Sequence, residues 1–106
     1  MNNAAVILAI DTSGIRETKV SLTVGEKTYQ RHTTEKLPRS QTVLPFIEEV
    51  LREANLPADA ITEIIVNTGP GSYTGLRVGI TVANTLATLL AVPVNGKKTL
   101  AVPRYS

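Results

Sequence analysis

Residues 67–79 read NTGPGSYTGLRVG, with four glycines, a proline and an arginine directly behind the apolar run ITEIIV at 61–66. Freezing that many glycines costs backbone entropy, so the folded state must return something for it. The helix behind the segment narrows the answer. Gly75, Gly79, Ala83, Ala87 and Ala91 recur every fourth residue and fall in one slowly drifting row along a helix from about Thr74 to Ala91. Glycine inside a helix costs roughly 0.5–1 kcal/mol relative to alanine. A row this poor in side chains therefore predicts a second backbone lying close against the helix.

The rest of the chain supplies the layers around it. Ala4–Ile10 is an apolar run of strand length, read as a central strand covered on both faces. Residues 18–24 alternate, with Val20, Leu22 and Val24 on one side, and Gly25-Glu26-Lys27 predicts a hairpin into a polar edge strand over Thr28–Thr34. After a polar linker at Lys36–Ser40, residues 41–54 carry Val43, Ile47, Val50 and Ala54 on one helical stripe, with Leu44 and Leu51 beside it. Ser40 or Thr42 caps that helix, Pro45 falls near its first turn, and Asn55 with Pro57 ends it. Residues 61–66 form another strand, and Val92–Val94 a short fifth one. The order β-β-β-α-β-α-β predicts an α/β fold, a five-stranded mixed sheet with packed helices in a ribonuclease-H-like layout over residues 1–106. With no Trp and Phe46 the only Phe, the core is aliphatic and alanine-rich.

Zero cysteines exclude disulfides, thiolate metal sites and a Cys nucleophile. The start, MNNAAVILAID, has no basic region ahead of its apolar run, and no run approaches the roughly 20 residues of a membrane span. A net charge of +2, without a basic stripe or stacking aromatics, argues against direct nucleic-acid binding. Membrane binding has no support either.

The glycine segment admits three readings. It is not a Walker A loop, and a dinucleotide fingerprint would need Gly at 74, where Thr74 stands. Generic anion binding remains, with amides at a helix N-terminus and Arg77 in the first turn. So does a plain turn capped by Ser72 or Thr74, and so does close approach of another backbone. The helix behind the loop is apolar on more than one side, since Leu76, Ile80, Leu86 and Leu90 add to the small row and only Arg77, Asn84 and some threonines are left for water. It reads as an interface helix presenting Gly75, Leu76, Gly79, Ile80, Ala83 and Ala87 to a partner, or else as one covered by the chain's own first helix.

The segments ILAIDTS at 7–13, LPRSQTVLPFIEEVL at 37–51 and NTGPGSYTGLRVGITVANTLA at 67–87 resemble the TsaB family (YeaZ, glycoprotease-like) of tRNA threonylcarbamoyladenosine biosynthesis proteins. VNGKKTL at 94–100 stands where that family has its short strand. The resemblance implies the first lobe of a two-lobed actin-like ATPase fold, with the second lobe absent. It implies a cytoplasmic, non-catalytic subunit that takes part in tRNA processing by docking on a TsaD-like threonylcarbamoyl transferase, or forms a homodimer, through helix 74–91. A TsaE-like ATPase joins the assembly, ATP and Mg²⁺ serve the wider complex, and tRNA is met only indirectly. No cofactor is implied for the chain by itself. The alternative is a nucleotide-binding half-site of an actin-like enzyme, in which Asp11, Thr12, Ser13, Gly69, Gly71, Ser72, Thr74 and Arg77 lie near phosphate. Asp11 ends its strand as a Mg²⁺-water carboxylate does in that superfamily, although Ser13 stands where the phosphate hairpin has glycine and Gly14 comes one place late. The transferase paralogue holds metal with paired histidines on its first helix; here Arg39, Thr42 and Val43 occupy that region, and no metal site or catalytic residue is expected. The single histidine, His32, falls on the polar third strand and reads as a surface residue.

Overall fold

The computed structural model describes residues 5–14, 17–34 and 42–104. The expected linker at 36–40, with Arg39 and the Ser40 cap, lies outside them. Four strands form one sheet in the order β3-β2-β1-β4: β1 Val6–Asp11, β2 Thr18–Val24, β3 Lys27–Thr33 and β4 Glu63–Val66. Helix α1 spans Val43–Ala54 and α2 spans Tyr73–Leu90.

The hairpin forms where the sequence places it. Val24 pairs with Lys27 across a two-residue turn in which Gly25 takes φ +60°. β1 is antiparallel to β2 and parallel to β4, so Leu8 stands between Leu22 and Ile64, and Ile10 between Val20 and Val66. These side chains share one face. Both helices cover it, α1 over β2 and β3, α2 over β1 and β4, and together they enclose a single aliphatic core. Arg31 on β3 clamps α1 from the rim, its Nε 3.0 Å from Glu49 and one terminal nitrogen 2.8 Å from Glu53.

The ends of α1 follow its sequence. Thr42 takes the N-cap position but, with a helical backbone, makes no side-chain capping bond; Asn55 closes the helix at φ 59°, its amide donating to Arg52 and that of Leu56 to Leu51.

Two expectations are corrected. β1 is central, but only one of its faces is covered: Val6, Leu8 and Ile10 are buried while Ile7, Ala9 and Asp11 are half-exposed. The opposite sheet face floors an open cleft of about 690 Å³. The fifth strand shrinks to one bridging residue, Val94, parallel to Ile64 on the outer side of β4. Pro93 has no N–H to give, and Asn95 and Gly96, at φ 51° and 78°, turn the chain back at once so that Val94 pairs with Lys97. The Asn95 side chain then extends the ladder that the backbone leaves. Its Oδ1 accepts from the Val66 amide at 2.9 Å and its Nδ2 donates to the Val66 carbonyl at 3.0 Å.

Asn95→Gly keeps the positive φ and removes both bonds. It is expected to lower stability by about 1–3 kcal/mol in urea unfolding, because Val66's groups lose their partners.

Candidate functional site at the strand ends

β1 and β4 run parallel, and their carboxyl ends lie side by side. In open α/β sheets this is where ligands gather. The turn after β1 (Asp11 to Gly14), the loop after β4 (Asn67 to Gly71) and the first turns of α2 meet here.

Asp11 bends over its own turn. One oxygen accepts from the Ser13 amide at 2.9 Å and from the Ser13 hydroxyl at 2.6 Å. Asn67 donates to that hydroxyl at 3.0 Å, and its Oδ1 takes the Gly69 amide at 2.9 Å. Partial burial pushes the Asp11 carboxyl up. Ser13's hydroxyl and amide, the Asn67 side chain and the Lys19 charge outweigh it and hold the group below its ordinary 3.8.

Thr12 is fully buried. Its hydroxyl donates to the Gly75 carbonyl and accepts from the Gly79 amide, the latter at 3.1 Å. A Cβ on Gly79 would stand 2.5 Å from that oxygen. Gly71 has a similar reason, for a Cβ there would meet the Ser13 backbone carbonyl at 2.7 Å. Gly69, at φ +111° and joined to Pro70 through a cis peptide, leaves no room for a Cβ beside the Arg104 carbonyl. Ser72 caps α2 by accepting from the Gly75 amide at 3.2 Å, while its own amide donates to the Ser13 carbonyl.

The residues expected near phosphate therefore divide. Asp11, Thr12, Ser13, Gly69, Gly71 and Ser72 come together, but the amides of Gly69, Ser72 and Gly75 are spent on the chain itself, and Thr12 faces inward. Thr74 and Arg77 are exposed on the outer side of α2, where Arg77 donates to the Tyr73 hydroxyl at 3.0 Å and lies over its ring. His32 meets Glu17 at 3.0 Å on the rim of the sheet. Among the described residues, no three His, Cys, Asp or Glu side chains cluster as metal ligands would.

The model of the family "TsaD: tRNA N6-adenosine threonylcarbamoyltransferase" matches residues 35–103. The chain belongs to the TsaD family. Over most of its length it is TsaB-like. The tRNA threonylcarbamoyladenosine biosynthesis protein TsaB of Buchnera aphidicola subsp. Schizaphis graminum is 31% identical over 103 residues, 92% of this chain and 46% of that protein. The tRNA N6-adenosine threonylcarbamoyltransferase of Geotalea daltonii is 48% identical over 56 residues, covering 53% of this chain and 16% of that enzyme. In three dimensions the chain is similar to YeaZ from Pseudomonas aeruginosa, with a TM-score of 0.81 at 31% identity over 85% of this chain and 42% of that one. It thus spans less than half the length of the TsaB and YeaZ relatives named here.

Helix 74–91 is turned around relative to its expected orientation. Gly75, Leu76, Gly79, Ile80, Ala83 and Ala87, expected to face a partner, are all buried inside the chain. At Gly79 the nearest neighbours are the chain's own side chains, Ile10 of β1 and Thr12 just beyond it, where a second backbone was expected. Asn84, expected to meet water, instead exchanges two hydrogen bonds of 3.1 and 2.9 Å with the backbone of Ala101 and holds the following segment against α2. Outward stand Tyr73 (58% exposed), Thr74, Arg77, Thr81, Thr85, Thr88 and Leu89 (75% exposed), with Val78 and Val82 half-buried beside them.

Sequence reasoning missed the roles of Asn67, Asn84 and Asn95. Two of them carry a local signal, Asn95 in the Asn-Gly pair that marks a tight turn and Asn67 in the turn it closes on Gly69 two residues on, while Asn84 carries none.

Gly79→Ala is expected to destabilise the fold by about 1–3 kcal/mol through overpacking on Thr12, against the intrinsic helix preference for alanine. Combining it with Thr12→Ala should recover part of that loss, read as a coupling energy in a double-mutant cycle. For Asp11, the folded carboxyl titrates below 3.8, so as pH falls the unfolded chain takes up this proton first. Its stabilisation is complete above the unfolded value and vanishes as pH drops through the folded one. The stability gap between the wild type and Asp11→Asn should accordingly narrow as pH is lowered below about 4, measured by denaturant titration at each pH.

Proposed function

We propose that the chain is a non-catalytic partner subunit in tRNA threonylcarbamoyladenosine biosynthesis, docking on a TsaD-like threonylcarbamoyl transferase through the outer face of α2. The observation that carries this reading is the apolar content of that face. Exposed Tyr73 opens the helix and exposed Leu89 stands near its end, Val78 and Val82 lie between them half-buried and packed in part on the core, and small threonines separate them. A surface helix normally turns charge to water along such a line; here Arg77 is the only charged residue in the whole of α2. The names of the relatives supply the pathway, and the TsaD-family match supplies a partner built on related architecture. On this reading a TsaE-like ATPase supplies the ATP-dependent step of the wider assembly, and tRNA is bound by the assembly rather than by this chain.

A second reading, a nucleotide-binding half-site, draws on one observation, the ionised Asp11 at the carboxyl end of β1. It is the weaker of the two, because the neighbouring loop amides already have partners within the chain.

Light scattering of the chain mixed with the transferase of the same organism tests the first reading. A stable complex is expected, and Thr81→Glu or Leu89→Glu, both at exposed positions, should weaken it at least about tenfold with the circular dichroism spectrum unchanged. Association that ignores both substitutions, combined with micromolar Mg-ATP binding in calorimetry, would establish the second reading instead.

A further inference from the structure

Three contacts tie the end of β1 to the first turns of α2. The Ser13 carbonyl accepts from the amide of Ser72, the residue that caps the helix, at 3.2 Å. One turn further on, the buried Thr12 hydroxyl donates to the Gly75 carbonyl and accepts from the Gly79 amide. Beside it, Ile10 Cγ2 lies 3.3 Å from where a Cβ on residue 79 would be. Residues 75 and 79 are an i, i+4 pair, so their carbonyl and amide are the two ends of one helical hydrogen bond. A hydroxyl laid across that pair fixes both the height of the helix over the strand and its rotation about its own axis. A methyl group in the same place would touch the helix without directing it.

We infer that Thr12 is the positioning residue for the docking face of α2. The inference rests on the docking role proposed above and names what sets that face. Rotation of the second turn carries Arg77 and Val78 with it, and Val82 one turn later. The Asp11–Ser13 turn lies on the other side of the same hydroxyl, with Asp11 closing on Ser13 and Ser13 on the helix cap. A change at the strand ends therefore has two routes to α2, the Ser13 carbonyl to its cap and the Thr12 hydroxyl to its second turn, and only the second grips the turn that carries Arg77 and Val78.

Thr12→Val removes the hydroxyl at nearly constant volume and leaves the Gly75 carbonyl and Gly79 amide to bond each other, so the fold is expected to survive. Thr12→Ser keeps the hydroxyl. By amide hydrogen exchange on the intact chain, Gly79 should exchange about tenfold faster in Thr12→Val and stay within about twofold of wild type in Thr12→Ser. Amide NMR shifts of Arg77 and Val82 should move in the first variant and return in the second. Affinity for the transferase should fall several-fold in Thr12→Val and recover in Thr12→Ser. Unchanged exchange at Gly79 in Thr12→Val overturns the inference, as does faster exchange with unmoved shifts at Arg77 and Val82. If the wild-type chain fails to bind the transferase, the docking reading falls alone, and the exchange and shift measurements still decide the role of Thr12. Should Thr12→Val unfold, Thr12→Ala compared with Thr12→Ser gives the same readouts.

Discussion

A hydroxyl from the end of β1 reaches between two turns of a helix, and most of the architecture follows from the room it needs. Thr12 can bridge Gly75 and Gly79 only if α2 comes down almost onto the strand, which forbids a side chain at 79. The same closeness favours small residues further along, where Ala83 and Ala87 are buried in the core. It brings the loop after β4 against the turn after β1, and there Gly71 lies on the Ser13 backbone. The entropy spent on these glycines is offset by contacts, buried hydrogen bonds among them, that a bulkier helix could not make.

Because α2 spends its small residues inward, its outward side is left with threonines and a few apolar groups. The inner face holds the helix to its sheet, and the outer face is the one proposed above to meet a partner. Membership of the TsaD family and likeness to TsaB give that open face a context, since the relatives' names place them together in one tRNA modification pathway. The strand-end cluster sits directly beneath the helix. Its charged member, Asp11, is engaged by its own turn, which makes the cluster a brace for α2 before it is anything else.

Much of this was readable in the residues. The alternation through Val20, Leu22 and Val24 and the glycine at 25 were enough for the hairpin, because strand period and turn chemistry are local properties. Asn55 and Ser72 announced helix ends for the same reason. The fifth strand was legible only in part. Val92–Val94 has strand-like residues, but the backbone ladder stops at Val94 and the Asn95 side chain extends it to Val66, a long-range pairing that no local pattern encodes. Nor could β1's composition tell that one of its faces stays open, since an apolar run is compatible with one covered face or two.

The amino-acid order by itself determined which residues form strands and helices, where the turns fall, and that some backbone must lie close to the row from Gly75 to Ala87. Whose backbone it would be was decided only in three dimensions. A line of small side chains records that something approaches within a few ångströms, and it records the distance without the owner. At Gly79 the owner proved to be no partner's backbone but the chain's own side chains, Ile10 and Thr12 at the end of the first strand, because β1 and β4 pair in parallel and the short glycine connection leaves α2 to lie across them.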